Sequence, residues 1–265
     1  MGNLTDTHCH LYAPDFRSDL NKVLKDAESS GVNKILIPGF DLETSKKTID
    51  ISESEKNYLY AAIGIHPNSN LISKDSIFSL KTLLKSKKVI AIGEIGLDFY
   101  RHINSMEDQV AILRSMLDLA AKNNLPICIH NRDSDDEMIR ILDKWFNELL
   151  SRNSILVEHP GVFHSFDGSI IISRWALEHN FFLGIGGPIT YKNNKVFHEV
   201  IQEIDMTHFL LETDAPYLSP HPFRGKRNEP KNVKIIAEKI AELKNLSLSD
   251  VIEATCLNAR TLFNW

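Results

Sequence analysis

The chain has 265 residues, 43% of them hydrophobic and 25% charged, and its 30 basic and 35 acidic residues give a formal net charge of −5. This balance is typical of a globular protein and excludes a strongly basic nucleic-acid-binding protein, so contact with nucleic acid would depend on a local basic surface or on metal ions. No apolar run approaches the ~20 residues of a membrane span, and the 3 cysteines cannot form a complete disulfide set, which together predict a cytoplasmic protein without membrane contacts.

Short apolar stretches rich in β-forming residues alternate with amphipathic stretches, the pattern of repeated βα units. The predicted strands, in chain order, are Leu4–His8, Lys34–Pro38, Tyr58–Ile65, Val89–Glu94, Pro126–His130, Gly161–His164, Phe181–Gly186 and Phe209–Thr213. The sixth strand has an alternative start at Ile155, followed by a bend at Pro160 and Gly161.

Amphipathic helices are predicted between these strands. One begins near Asp19, and another begins at Ser134 with Glu137 three residues later, the spacing of a capping box. The last begins near Ser247, again with a carboxylate, Asp250, three residues on.

Eight βα units in 265 residues predict one domain over residues 1–265, folded as a single (β/α)8 TIM barrel. A doubly wound open sheet is the competing arrangement, but no glycine-rich phosphate loop follows the first predicted strand. The barrel is therefore the predicted fold.

Coordinating side chains recur where the predicted strands end. A lone histidine or carboxylate is usually a surface or satisfied core residue, but the carboxyl ends of parallel barrel strands meet at one rim, where barrel enzymes hold their chemistry. The residues that recur in this way are His8, His10, His66, Glu94, His130, His164 and Asp214. The recurrence predicts a metal site at the C-terminal rim of the strands.

The predicted ligands exceed the number that one catalytic ion with an open position requires. The set comprises His8, His10, Glu94, His130, His164 and Asp214. It suits two divalent ions, such as Mg²⁺, Mn²⁺ or Zn²⁺, bridged by Glu94, which lies centrally in strand order. His159 lies five residues from His164 and is an alternative ligand on the sixth strand, while Asp6 and Glu212 either orient ligands or fill a polar barrel layer.

Cationic residues surround these strand ends in an acidic protein. The loop "PHPFRGKRNEP" beside Asp214 carries two arginines and a lysine, and other basic residues lie on neighbouring loops. The residues are Arg101, Arg132, Lys192, Arg224, Lys226 and Arg227. Arginine binds phosphate through paired contacts, so Arg132, Arg224 and Arg227 are predicted to bind an anionic substrate. Aromatic residues nearby are Phe99, Tyr100, Tyr191 and Phe223, and they would either stack on an unpaired base or pack as lids on the barrel.

The ordered motifs "DTHCHL", "GIHP", "AIGEIGLDFY", "IHNR", "FHSFDG" and "LLETDAPYLSPHPFRGKRNEP" resemble those of the TatD-type metal-dependent deoxyribonucleases, a family of the amidohydrolase-like superfamily. The resemblance runs from Asp6 to the closing "NARTLF". It implies one ion held by His8, His10, Glu94 and Asp214. It implies a second ion held by Glu94, His130 and His164, with His66 close enough to touch phosphate. It also favours His164 over His159, because "HSFDG" carries the His-x-Phe-x-Gly pattern of the family.

The activity that the resemblance implies is 3′→5′ exonuclease action on single-stranded or frayed DNA, supported by Mg²⁺ or Mn²⁺. Asp214 would accept the proton of the attacking water, and Glu94 would complete the catalytic pair. No obligate protein partner is expected. Two alternatives remain, a small-molecule or aminoacyl-ester hydrolase that uses the same metal site and a non-catalytic scaffold.

Overall fold

The structure, a computed structural model, describes residues 3–55, 57–70 and 74–265. Eight parallel strands form one sheet in which each strand pairs with the next along the chain, in the order β1 to β8. The strands are β1 Leu4–Asp6, β2 Val32–Pro38, β3 Leu59–Ile63, β4 Val89–Asp98, β5 Ile127–Arg132, β6 Gly161–Phe163, β7 Phe182–Ile185 and β8 Phe209–Leu211. Most strand residues are buried, because the barrel interior lies on one side of each strand and helices lie on the other.

Helices follow the strands and form the outer layer. They are α1 Leu20–Ser29, α2 Leu42–Ser54, α3 Lys74–Leu83, α4 Met106–Asn123, α5 Asp135–Ser151, α6 Ile170–Glu178, α7 Lys195–Glu203, α8 Val233–Lys244 and α9 Leu248–Phe263. This alternation confirms the predicted (β/α)8 barrel.

The barrel closes between its first and last strands just beyond their formal ends. The backbone N–H of Thr7 donates to the carbonyl oxygen of Leu211 at 2.9 Å, and that of Asp214 donates to the carbonyl oxygen of His8 at 2.9 Å. The N–H of His10 donates in turn to the carbonyl oxygen of Ala215 at 2.8 Å. These bonds bring the start of the chain beside Asp214, although the two segments are far apart in sequence.

Strand β4 extends four residues past its predicted end at Glu94, so Glu94 lies inside the strand. The extension pairs with β5, with Gly96 opposite His130 and Asp98 opposite Arg132. Only glycine fits at position 96, because a side chain there would collide with the carbonyl oxygen of His130. The β4–β5 pair therefore rises above the rest of the rim.

The predicted helix starts were right in position, but one of the two capping boxes is absent. Ser247 and Asp250 form the predicted capping box of α9. Ser134 precedes α5, yet its hydroxyl donates to Asn131 Oδ1 at 2.7 Å, and Glu137 pairs with Arg140 instead of capping the helix. The Ser134 hydroxyl is drawn away because the end of β5 supplies a close acceptor.

An apolar layer fills the barrel interior beneath the polar rim. Cys128, Val162 and Leu210 are buried in this layer, and each lies two residues before a polar residue on the same strand face, His130, His164 and Glu212 respectively. The end of α9 contributes Ala259, Leu262 and Phe263 to the same cluster. The polar rim thus rests on a closed hydrophobic floor.

Candidate metal-binding site

One oxygen of Glu94 faces a group of side chains from β1 and β8, here called the first cluster: His8, His10, Glu94 and Asp214. Glu94 Oε2 lies 3.4 Å from His8 Nε2 and 3.7 Å from His10 Nε2. Asp214 Oδ1 lies 3.2 Å from His10 Nε2 and 3.9 Å from His8 Nε2, and the two Nε2 atoms are 3.2 Å apart. Four potential ligand atoms therefore converge.

The other oxygen of Glu94 faces a second cluster, defined as Glu94, His66, His130 and His164. Glu94 Oε1 lies 3.0 Å from His130 Nδ1, 3.1 Å from His164 Nε2 and 3.2 Å from His66 Nε2. Glu94 is thus placed between the two clusters, with one oxygen directed to each. The structure brings together all six predicted ligands, together with His66.

The spacing of the first cluster fits a metal ion. Ligand atoms arranged tetrahedrally around an ion at ~2.1 Å are about 3.4 Å apart. The nitrogen–oxygen distances in the cluster run from 3.2 to 3.9 Å. The rim contains three sets of residues in which the potential ligand atoms of each set all lie within 4.8 Å of one another. The sets, some of which share a residue, are His8, His164 and Asp214; His8, His10 and Glu94; and His66, Glu94 and His130.

Two histidines of the second cluster are oriented by buried carboxylates on their far side. His130 Nε2 lies 3.3 Å from Asp98 Oδ2, and His164 Nδ1 lies 3.3 Å from Glu212 Oε1 in an ion-pair contact that is not aligned as a hydrogen bond. A carboxylate holds a proton on the nitrogen that faces it, so the other nitrogen directs its lone pair inward. This is the arrangement that a metal-ligating imidazole requires.

In His66, unlike His130 and His164, the ring proton is placed on the nitrogen that faces Glu94. Its Nδ1 accepts the backbone N–H of Asn68 at 3.0 Å, so the neutral ring carries its proton on Nε2, the atom that faces Glu94. Burial, which opposes the charged form, lowers the pKa of His66 to about 4. His66 is therefore arranged to donate a hydrogen bond, and it lacks the free lone pair of a ligand.

Both carboxylates of the first cluster are kept ionised. Burial alone would raise their pKa values, but the electrostatic attraction of the surrounding imidazoles, chiefly those of His66 and His164, holds the pKa of Glu94 well below its ordinary value. A hydrogen bond from His10 and the charge of His164 likewise outweigh burial and lower the pKa of Asp214. The rim therefore presents negative oxygens to an incoming cation.

Asp98 belongs to the candidate site, although the sequence pattern does not reveal it. Its side chain is buried, and Oδ2 accepts the Asn68 side-chain amide at 2.7 Å while it faces His130. Its Oδ1 accepts the backbone N–H groups of Tyr100 at 3.1 Å and Arg101 at 2.9 Å. Its place near the end of a strand, in "GLDFY", is the signal that could have revealed it.

Of the two further carboxylates considered in the sequence, one orients a histidine and one fastens the barrel. Glu212 faces His164 and accepts the backbone N–H of Ser165. Asp6 accepts the backbone N–H and the hydroxyl of Thr213 at 2.9 and 2.6 Å, which joins β1 to the end of β8.

The predicted substrate-binding arginines differ in what they contact. The Arg132 guanidinium lies over the Tyr100 ring at 3.8 Å, and that of Arg224 lies over the Tyr191 ring at 4.6 Å. Arg227 instead donates to both oxygens of Asp19, to Glu229 and to a backbone oxygen. Its guanidinium is committed to a structural ion pair, so we leave Arg227 out of the phosphate-binding set.

His159 does not join either cluster. It precedes β6, which begins at Gly161, whereas the site lies beyond the other end of that strand, where His164 follows Phe163. The His159 ring is half-buried and lies 5.9 Å from the ring of Phe182. The position therefore favours His164 over His159 as the residue that reaches the clusters.

Comparisons with known proteins agree with this architecture. A family model described as TatD related DNase matches residues 5–264. The metal-dependent hydrolase YabD of Bacillus subtilis is 40% identical over 261 residues, with 98% of each chain covered. The 3′-5′ ssDNA/RNA exonuclease TatD of Erwinia tasmaniensis is 31% identical, with 98% of this chain and 99% of the relative covered. The crystal structure of YjjV, a TatD homologue from Escherichia coli, superposes with a TM-score of 0.90 at 32% identity, over 99% of this chain and 98% of that one. In the described ranges, no helix is both long enough and apolar enough to cross a membrane.

Proposed function

The chain belongs to the TatD-related DNase family of metal-dependent hydrolases, and on that premise we propose that it is a 3′→5′ exodeoxyribonuclease that cleaves phosphodiester bonds of single-stranded or frayed DNA. The observation that carries the proposal is Glu94, whose two oxygens face separate groups of ring nitrogens. The relative named as a 3′-5′ ssDNA/RNA exonuclease supports the substrate class and the direction of cleavage.

We propose that the two clusters bind two divalent ions, Mg²⁺, Mn²⁺ or Zn²⁺. His8, His10, Glu94 and Asp214 would hold one ion, and Glu94, His130 and His164 would hold the second. The mixture of imidazole and carboxylate ligands is compatible with each of these metals. When bound, such ions supply positive charge that polarises a phosphodiester and makes water a stronger nucleophile at neutral pH.

Asp214 is the proposed proton acceptor. Its pKa is lowered, so its carboxylate is ionised at neutral pH and can take a proton. Its side chain is 12% exposed, against 4% for Glu94, which makes it the carboxylate of the first cluster more open to an incoming substrate.

The remaining proposed contacts bind the phosphate groups of the substrate. His66 would donate from Nε2, since its other nitrogen already accepts the N–H of Asn68. Arg132 and Arg224 offer several N–H donors each, which suits paired contacts with phosphate oxygens. The three unpaired cysteines, Cys9, Cys128 and Cys256, support the further proposal of a reducing, cytoplasmic location.

The decisive experiment uses metal-stripped protein to which Mg²⁺, Mn²⁺ or Zn²⁺ is restored in turn. Single-stranded oligonucleotides of DNA and RNA are labelled at either end, and a p-nitrophenyl ester is tested beside them. We expect metal-dependent release of nucleotides from the 3′ end, lost in Asp214→Asn and His164→Ala and retained in the matched control His159→Ala. Ester turnover without cleavage of nucleic acid would instead favour the small-molecule hydrolase, and no turnover of any substrate would favour the non-catalytic scaffold.

A further inference from the structure

An arginine–tyrosine stack stands at the rim beside the second cluster. Tyr100 is 59% exposed as a residue, and the guanidinium of Arg132 lies 3.8 Å from the centroid of its ring. At this distance the guanidinium covers one face of the ring. The exposure of the side chain leaves the other face to solvent.

The backbone of both residues is fixed relative to the site. Arg132 lies two residues past His130 on β5, and its carbonyl oxygen accepts the backbone N–H of Phe99 at 2.9 Å. The N–H of Tyr100 donates to Asp98, the carboxylate that also faces His130. One buried carboxylate thus connects the stack to the second cluster.

Tyr100 differs from the other aromatic residues of the rim. Phe99 is half-buried and packs against the hydrophobic core. The Tyr191 hydroxyl donates to the carbonyl oxygen of Ser219 at 3.0 Å, which ties that ring to the loop after β8. Phe223 is 38% exposed, and among the described residues no cation lies over its ring. Tyr100 combines the largest exposed fraction of the four with a guanidinium beside it.

We propose that Tyr100 and Arg132 form a nucleobase subsite for single-stranded nucleic acid. The free face of Tyr100 stacks on an unpaired base, and the N–H edge of Arg132 contacts the phosphate of the strand whose phosphodiester bond lies at the two clusters. The inference rests on the proposed function and deepens it. A base inside a duplex is covered on both faces by its neighbours, so this subsite accepts only unpaired nucleotides, and it tolerates any sequence because every base has an aromatic face.

The test compares two phosphorothioate-linked decamers, which resist cleavage, one of thymidine and one of abasic residues. Their affinities for Mn²⁺-supplied protein are measured by fluorescence anisotropy. The result is the ratio of the two affinities measured on the same variant. A general loss of folded protein affects both affinities equally and leaves this ratio unchanged. Stacking on an aromatic side chain contributes ~1–3 kcal/mol per base, so we expect wild type to prefer the thymidine decamer by about tenfold.

Tyr100→Ala is expected to abolish this preference, and Tyr100→Phe, which keeps the ring, is expected to retain it. Phe78→Ala is the matched control, since Phe78 is a 70% exposed aromatic residue on α3 without a stacked arginine in the described structure. A Tyr100→Ala protein that keeps the tenfold preference, or a wild type that has none, would overturn the subsite.

A base-free diester separates this inference from the proposed function. If wild type hydrolyses bis(p-nitrophenyl) phosphate but shows no preference for the thymidine decamer, the proposed phosphodiesterase activity stands and the proposed subsite is refuted. If wild type prefers the thymidine decamer but hydrolyses no phosphodiester in the presence of metal, the proposed subsite stands and the proposed nuclease activity is refuted.

Discussion

Asp98→Asn is the substitution that most directly tests how the second cluster is oriented. The two carboxylate oxygens of Asp98 accept from Asn68, Tyr100 and Arg101 and face His130. An asparagine has one acceptor oxygen, so at least one of these buried donors would lose its partner. An unpaired buried donor costs ~1–3 kcal/mol of folding free energy.

The same substitution would weaken metal binding. The amide nitrogen of asparagine can donate to His130 Nε2, which would move the ring proton to Nδ1, the atom that faces Glu94. Removal of the partner that orients a ligating histidine typically lowers metal affinity by ~10–100-fold, which is ~1.4–2.7 kcal/mol. We expect a loss of this size at one of the two sites, measured by isothermal titration calorimetry with Mn²⁺.

Asp143→Asn is the matched control, because Asp143 contacts Trp175 Nε1 at 2.6 Å and His179 at 3.9 Å away from both clusters. Its metal affinity should equal that of wild type. If Asp98→Asn lowers the melting temperature but leaves both affinities unchanged, Asp98 supports only the loop after β4 and the reasoning about His130 is wrong. An equal loss of metal affinity in Asp143→Asn would also refute the reasoning about His130, because Asp143 lies away from both clusters.

Further predictions concern Glu94, which lies between the two clusters, the hydrogen-bond donor His66, and Arg227, which is paired with Asp19. Glu94→Gln, which removes the charge between the clusters, should lower the calorimetric stoichiometry from two ions to at most one and reduce phosphodiester turnover by more than ~10²-fold; an unchanged stoichiometry would refute the bridging role. His66→Ala should keep both ions but lose a hydrogen bond to a charged group, which lowers turnover by ~10–100-fold; loss of an ion would make His66 a ligand. Arg227→Ala breaks the ion pair with Asp19, so it should lower the melting temperature by only a few degrees and leave KM for DNA unchanged; a raised KM would return Arg227 to the phosphate-binding set.

The sequence predicts the positions of His130, His164 and Asp214 correctly because each follows a short apolar run, and a parallel barrel brings such ends to one rim. It does not reveal Asp98, because the reach of that carboxylate depends on β4 pairing with β5 beyond Glu94. It also does not reveal the ion pair of Arg227, because the carboxylate partner Asp19 precedes a helix at the other end of the chain. Long-range pairing, which local patterns do not contain, decides these cases.

The second cluster contains an electrostatic conflict that a cation would resolve. Asp98 and Glu212 draw the ring protons of His130 and His164 outward, so in their neutral forms two nitrogen lone pairs face the lone pairs of Glu94 Oε1 at 3.0 and 3.1 Å. Without a cation, a second proton on each ring relieves the repulsion, and contacts with these carboxylates outweigh burial and raise the pKa of both histidines.

A bound divalent ion would take the place of those protons. Metal binding should therefore release protons, and the affinity should rise as pH increases through the raised pKa values, because fewer protons then compete for the nitrogens. Titration calorimetry of Mn²⁺ in buffers of different ionisation enthalpy measures the number released. We expect release to fall in His164→Ala and to match wild type in His159→Ala. Binding without proton release at pH 6 would mean that both rings are already neutral at that pH. The repulsion between their lone pairs and Glu94, which the contacts indicate, would then be absent.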